Sequence, residues 1–311
     1  LDCLGQMSQA IQGLHHVTAI SGPPQPNVDF FTQVLGQRLV KKTVNFDAPD
    51  TYHLYYGNQS AEPGTIMTFF PFVDAGPGRA GPGMASAYAY GVSQGQFDPF
   101  MERLAEQGLD FEGPTERFGA RVITLSDPDG APVELVETDR AGAEPLDGFH
   151  SVTLWEHDPQ KTARVLTDIF GYEEAGHEAG AEGERLRFRT KGEARATVID
   201  LKRSDSPSIG RQGAGTIHHV AFRAEDDEAH QTWREAIASA GFDVTPVIDR
   251  QYFNAIYFRE PGGVLFEVAT DPPGFAADEE MAHLGEALKL PPQYESQRDR
   301  IERVLPELRV G

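Results

Sequence analysis

Apolar and polar positions along this chain follow one pattern four times over. A short apolar or alternating run leads into a stretch with helical spacing, and further strand-like runs follow. The first copy opens at Gly13-Leu14-His15-His16-Val17-Thr18-Ala19-Ile20. Val28, Phe31, Val34 and Leu35 then stand at helical spacing, closed by Gly36, with strand-like pieces at 39–45, 53–56 and 65–70. In the second copy an opening strand alternates around Tyr88 and Tyr90. A helix over 97–107 sets Phe97, Phe100, Met101 and Leu104 on one face, and Gly108 stops it. Strands at 120–125 and 133–136 flank the turn Asp127-Pro128-Asp129-Gly130. The third copy opens with Phe149-His150-Ser151-Val152. Pro159 suits the first position of a helix over 159–170, Gly171 follows it, and 195–201 is the last strand. The fourth opens at Gly215-Thr216-Ile217-His218-His219-Val220-Ala221-Phe222. Its helix over 226–240 turns Trp233, Ile237 and Ala240 inward before Gly241, and it ends in Glu260-Pro261-Gly262-Gly263-Val264-Leu265-Phe266-Glu267-Val268.

Each copy therefore reads βαβββ, and the fold class is α+β. One such unit exposes a sheet face and cannot stand alone. Two units can close it, so four βαβββ modules predict two barrel-like domains. Two modules fill 13–138 (13–72 and 84–138) and two fill 147–271 (147–201 and 215–271). The Pro- and Gly-rich stretches 72–83, 138–146 and 202–215 read as connections. Residues 275–311 form a different, C-terminal tail, with a charged helix over 296–305 after Pro291-Pro292. It is expected to pack on the barrels as a cover or an interface, which leaves room for a homodimer or higher homo-oligomer.

Composition narrows the partners. The chain has 311 residues and a formal net charge of −21, which argues against nucleic acid and anionic membranes. No apolar run approaches the ~18 residues of a membrane span, and the first twelve residues do not read as a signal peptide. Met7 reads as a natural start. Cys3 is the one cysteine, which excludes disulfide scaffolds, all-cysteine zinc sites and Fe–S clusters and fits a reducing cytoplasm.

The repeats also compare with one another. The second histidine of the opening pair is His16 in unit one and His219 in unit four; unit three has Ser151 there, and unit two has no histidine. In the last strand Glu267 of unit four matches Glu134 of unit two. Pairing one with two, or three with four, offers one histidine and one glutamate. Pairing one with four offers His16, His219 and Glu267 together. Two imidazoles and a carboxylate hold one face of a metal and leave the others open, as in non-haem Fe(II) oxygenases; zinc also suits such donors. A carboxylate between Phe266 and Val268 is costly unless paired or metal-bound. A lone strand histidine is more often structural than ligating, but matching copies favour ligation. Glu134, without histidines, reads as a relic or as the partner of a buried arginine.

At these residues the chain resembles the vicinal oxygen chelate superfamily, and within it the ring-cleaving dioxygenase branch. The nearest likeness is to the hydroquinone dioxygenases, including those that open chlorinated hydroquinones and the bacterial quinone-resistance proteins. It extends over nearly the whole chain, including Leu288-Lys289-Leu290-Pro291. The resemblance implies Fe(II) on His16, His219 and Glu267, with Mn, Zn and Ni as alternative metals. It implies a cytoplasmic enzyme that opens a hydroquinone-type aromatic with O2. It also carries over His15, His218, Arg250, Tyr257 and Thr18 as catalytic residues near the substrate. Strand alternation sets His15 and His218 on the face opposite the ligands unless the strand is bulged. The plain alternatives are a core tyrosine at 257 and a structural salt bridge at Arg250. At the level of function they are a catechol extradiol dioxygenase, a glyoxalase-like isomerase or thiol transferase, a binding protein for an aromatic or drug, and a structural or regulatory protein. Glyoxalase-type sites generally take a second carboxylate, which the one–four pairing lacks.

Overall fold

A computed structural model describes residues 10–180, 183–191 and 195–310, so Cys3 and Met7 lie outside the described residues. The first unit comprises β1 (Leu14–Ser21), α1 (Pro24–Asp29), β2 (Arg38–Asn45), β3 (Ala48–Gly57) and β4 (Ile66–Pro71). The second has β5 (Met84–Val92), α2 (Phe97–Glu106), β6 (Glu112–Arg117), β7 (Ala120–Ser126) and β8 (Pro132–Glu137). The third has β9 (Leu146–Glu156), α3 (Pro159–Arg164), β10 (Glu173–Gly180), β11 (Gly183–Arg189) and β12 (Val198–Arg203). The fourth has β13 (Thr216–Ala224), α4 (Asp227–Ser239), β14 (Ile248–Asp249), β15 (Phe253–Arg259) and β16 (Leu265–Pro273). The tail carries α5 (Pro292–Glu295) and α6 (Arg298–Val304). A glycine at positive φ immediately precedes β1, β5 and β13, at Gly13 (97°), Gly83 (88°) and Gly215 (86°), and a fourth, Gly148 (101°), stands near the start of β9. At Gly13 a Cβ would stand 2.4 Å from the Ala196 carbonyl oxygen, so a side chain is excluded by space as well as by conformation.

The helices of units one and three differ from the sequence expectation. Each begins as an α-helix at a proline but widens into a π turn, at Phe30–Val34 and Val165–Ile169. Leu35 N–H donates to Phe30 O at 3.0 Å and Phe170 N–H to Val165 O at 3.1 Å. Two strands had no apolar signal. β6 and β10 are almost wholly exposed and polar because they are the outer strands of their sheet, where charged side chains discourage edge-to-edge pairing.

Two eight-stranded sheets result, in the orders β14-β15-β16-β13-β1-β4-β3-β2 and β10-β11-β12-β9-β5-β8-β7-β6. Units one and four thus share one sheet, joined by the antiparallel β1–β13 pair. Units two and three share the other, joined by β5–β9. A large apolar core draws on both sheets and on the helices that pack against them. The other face of the first sheet has its own apolar cluster, with Tyr55, Ile66, Ala221, Tyr252 and Phe253. If flat, that sheet would be roughly 34 Å wide. Side chains from β1, β2, β3, β4, β13, β15 and β16 nevertheless line one cavity of about 410 Å³, so the sheet is curled around it. Among the described residues no helix is long and apolar enough to cross a membrane.

Candidate metal centre

The central strands of the curled sheet bring three donors to one point. In the β1–β13 register His16 stands opposite Ala221 and Thr18 opposite His219, so the two histidines lie on a diagonal. Glu267 of β16 lies beside Ala221 on the other side. The row His16–Ala221–Glu267 has its smallest side chain in the middle, which leaves the space into which the flanking donors turn. One donor atom from each of His16, His219 and Glu267 lies within 4.8 Å of the others, and this is the metal-competent group of three found among the described residues. Glu267 Oε2 is 2.9 Å from His219 Nε2 and 3.4 Å from His16 Nε2.

These contacts are not well-formed hydrogen bonds. Both Glu267 oxygens are fully buried and accept from no aligned donor. A buried carboxylate left in that state is costly, and a cation held between it and the two imidazoles would remove the cost. Burial by itself raises the Glu267 carboxyl, but His16 and His219 beside it hold it well below the usual carboxylate range. Burial lowers His219 in turn. At neutral pH Glu267 is therefore ionised and His219 neutral, the forms a divalent metal requires, and the residues fit one.

The histidines that precede the ligands are placed by irregular register in β1. His15 Nδ1 lies 2.8 Å from His16 Nδ1, and His218 Nδ1 lies 2.8 Å from His219 Nδ1. The β1–β13 ladder shifts between Leu14 and His16 and again between Thr18 and Ala19. His218 reaches the cavity wall, whereas His15 stands behind His16 against Phe253 and lines no part of the cavity. The substrate-side position suggested for His15 is thus replaced by a contact with the ligand ring. Burial is the main reason both are poor bases. His15 lies well below the usual histidine range, with His16 adding to the effect, and His218 is pushed down to about 4, with His219 adding.

Thr18, Arg250 and Tyr257 also line the cavity. Arg250 Nε donates to the Tyr257 hydroxyl at 3.1 Å, and its guanidinium faces the exposed Asp47 at 3.6 Å. Burial and then Glu267 raise the Tyr257 phenol well above its ordinary value, so it stays protonated. Much of the remaining lining is apolar and aromatic, with Phe46, Phe70, Phe72, Phe253, Ile20 and Leu265. His53, Tyr55, Asn45 and Asp47 complete the lining, and sequence reading missed all four. Their one signal was position, since Tyr55 falls on a strand two residues after a histidine.

The equivalent face of the second sheet is closed by charge. Glu134 stands beside Ala89 as Glu267 stands beside Ala221. Arg117 grips it with two bonds of 2.7 and 2.9 Å, which resolves its role in favour of an arginine partner. Asp200, completely buried, accepts from Arg185 and Arg187. Phe118 stacks beneath Arg187 at 4.0 Å.

A chain with this repeated module and this donor set belongs to the glyoxalase/bleomycin resistance protein/dioxygenase superfamily, whose family model matches residues 13–135 and 148–268. It is similar to MhqO of Bacillus subtilis (strain 168), which bears the name of a ring-cleaving dioxygenase. The two are 46% identical over 310 residues, covering 96% of this chain and 97% of that protein. It is 33% identical over 316 residues to a chlorohydroquinone/hydroquinone 1,2-dioxygenase of Sphingobium indicum, covering 96% and 98%. A crystal structure of a Bacillus subtilis protein described as a dioxygenase superposes with a TM-score of 0.91 at 46% identity, over 98% of this chain and 99% of that one. Glyoxalase I from Zea mays shares the fold, with a TM-score of 0.64 at 15% identity over 83% and 92% of the chains.

Proposed function

We propose that this protein is a non-haem metal-dependent dioxygenase that opens the ring of a hydroquinone-type aromatic with O2, and that its metal is Fe(II). The observation that carries the reading is the buried triad of His16, His219 and Glu267 at the floor of an aromatic-walled cavity of about 410 Å³. The names of the 46% and 33% identical relatives support it. Bound there, the metal would acidify a substrate hydroxyl, take O2 as a further ligand and mediate the passage of electrons from the substrate to O2.

The chain's own residues do the rest. With Nε2 of His16 and His219 given to the metal, each ring keeps its proton on Nδ1 and donates it to the histidine before it. That bond fixes the tautomer and aim of both ligands. Phe70, Phe72 and Phe253 offer an apolar slot to the ring and keep water from it. Arg250, held by Tyr257, brings positive charge to the wall where an oxyanion develops. The protonated Tyr257 phenol is the group placed to give a proton, and the neutral His218 imidazole, its Nδ1 accepting from His219, offers a hydrogen bond from Nε2. In this reading the curled sheet is the barrel-like half that the repeat predicts, and the partners are a small aromatic and O2.

The reading is tested by anaerobic purification, metal quantification, reloading with Fe(II) and oxygen uptake on methylhydroquinone and catechol. About one iron per chain, with uptake on the hydroquinone, is the expected result. Folded protein that binds iron yet takes up no oxygen with either aromatic overturns it. Uptake on catechol alone moves the enzyme to the extradiol branch.

A further inference from the structure

Four side chains, three of them lining the cavity and the fourth, Thr68, buried behind it, form a continuous hydrogen-bonded line that the roles given above do not use. Tyr55, Thr68 and Thr18 occupy one register row across β3, β4 and β1, and the row continues to the ligand His219 on β13. Period-two alternation puts His53 on the same face as Tyr55. Thr18 Oγ1 lies 2.8 Å from Thr68 Oγ1, which lies 2.9 Å from His53 Nε2; His53 Nδ1 lies 2.9 Å from the Tyr55 hydroxyl. Thr18 and His53, at the two ends of the hydroxyl pair, both face the cavity. Thr18 is two residues from the ligand His16 on the same face of β1, whereas His53 lies against Phe70, with ring centroids 4.4 Å apart and the rings tilted by 46°.

Resting on the dioxygenase reading, we propose that Thr18, Thr68 and His53 form a proton relay that removes the proton of the substrate hydroxyl nearest the metal ligands and stores it on His53. All the hydrogen bonds can run one way. Thr18 accepts from the substrate O–H and donates to Thr68, Thr68 donates to His53 Nε2, and His53 Nδ1–H donates to the Tyr55 oxygen. Passage of one proton along the line leaves a phenolate and an imidazolium, with no electron moved and no further reactant needed. His53 starts neutral: burial depresses its basicity, helped by His16, His219 and Arg250 and opposed by Glu267. An anionic ring beside it shifts that balance toward the imidazolium. A threonine pair on adjacent strands would otherwise be an unremarkable polar contact. Its connection at one end to a cavity histidine and at the other to the residue beside a ligand gives it direction.

The test is to titrate methylhydroquinone calorimetrically into anaerobic, Fe(II)-loaded protein in two buffers of different ionisation enthalpy. That counts the protons released on binding. Oxygen uptake is measured in parallel. Wild type retains the proton and releases close to none. His53→Gln keeps the hydrogen bonds but cannot store a proton, so it releases about one per ligand, and its uptake rate falls on the order of 100-fold at unchanged iron content. Thr68→Val cuts the line at its middle and reproduces both effects, which guards against a folding defect peculiar to one variant. Wild-type proton release and rate in both variants overturn the relay and leave the dioxygenase reading standing. Absence of oxygen uptake and of metal-dependent hydroquinone binding in wild type overturns both.

Discussion

The ligand histidines illustrate how much a single neighbour can decide. A strand histidine is commonly just a packed or solvated ring, but each ligand here is backed by the preceding histidine through a Nδ1 contact of 2.8 Å. Removing the acceptor should therefore weaken the metal without removing a ligand. His218→Ala and His15→Ala are each expected to lower Fe(II) affinity about 10- to 100-fold in a chelator competition, while His219→Ala abolishes stoichiometric binding. Acidity acts on the same atoms. Metal release on acidification follows protonation of the ligands, and burial holds His219 below its ordinary value of 6.5 while Glu267 stays ionised. Metal retention, measured by elemental analysis after equilibration, should persist through pH 6.5 and fail only at lower pH. At this scale the sequence was eloquent about His16, His219 and Glu267, because the donor types are few and recur at matching repeat positions. It was silent about His53 and Ala221, whose importance lies in which side chains they meet.

Strands and turns carry the next level. β9 ends at Glu156, which is fully buried with neither carboxylate oxygen paired. It packs over the turn that precedes β16, where a Cβ on Gly262 would stand 1.8 Å from its Oε2. Burial first, and then the charge of Glu260, push its pKa up to about 8. The folded chain thus holds a proton that the unfolded chain has already lost at neutral pH. Stability from this group is whole below the ordinary carboxyl value of 4.5 and falls as pH rises through about 8. Glu156→Gln should accordingly raise the unfolding midpoint at pH 8 but hardly at pH 4.5, by roughly 2 kcal/mol at the higher pH in denaturant titrations. The strands that apolar spacing marked are present, but the polar edge strands β6 and β10 left no such mark. The π turns were hidden for a related reason. A π turn is a rare interruption that local spacing does not signal, and here each one buries an apolar side chain, Phe31 and Leu166.

For the molecule as a whole, the tail is a fastener. The edge strand β2 and the segment after β14 are not hydrogen-bonded to one another, yet Lys41 of β2 lies over the Tyr252 ring at 4.8 Å. Asp278 of the tail accepts from both, at 2.6 Å from Lys41 Nζ and 2.9 Å from the Tyr252 hydroxyl. Glu279 adds a second carboxylate on Lys41, whose side chain is completely buried. Lys41→Met strands these acids and should cost about 3–5 kcal/mol of stability, read as a lower midpoint in chemical unfolding. Asp278→Asn keeps Glu279 as counter-ion and should cost less.

By itself the amino-acid sequence determined the fourfold repeat of strand and helix and the residue types able to hold a metal. Those follow from periodicity and donor chemistry, both of which are local. The tertiary structure alone decided the rest. Register between strands some two hundred residues apart set His16 diagonally from His219 and left Ala221 between His16 and Glu267. It filled the sister face with Arg117 and Glu134, and it aligned Thr18, Thr68 and His53 into a line. Alternation along a strand fixes which residues share a face, but only the pairing of distant strands fixes which faces and rows meet.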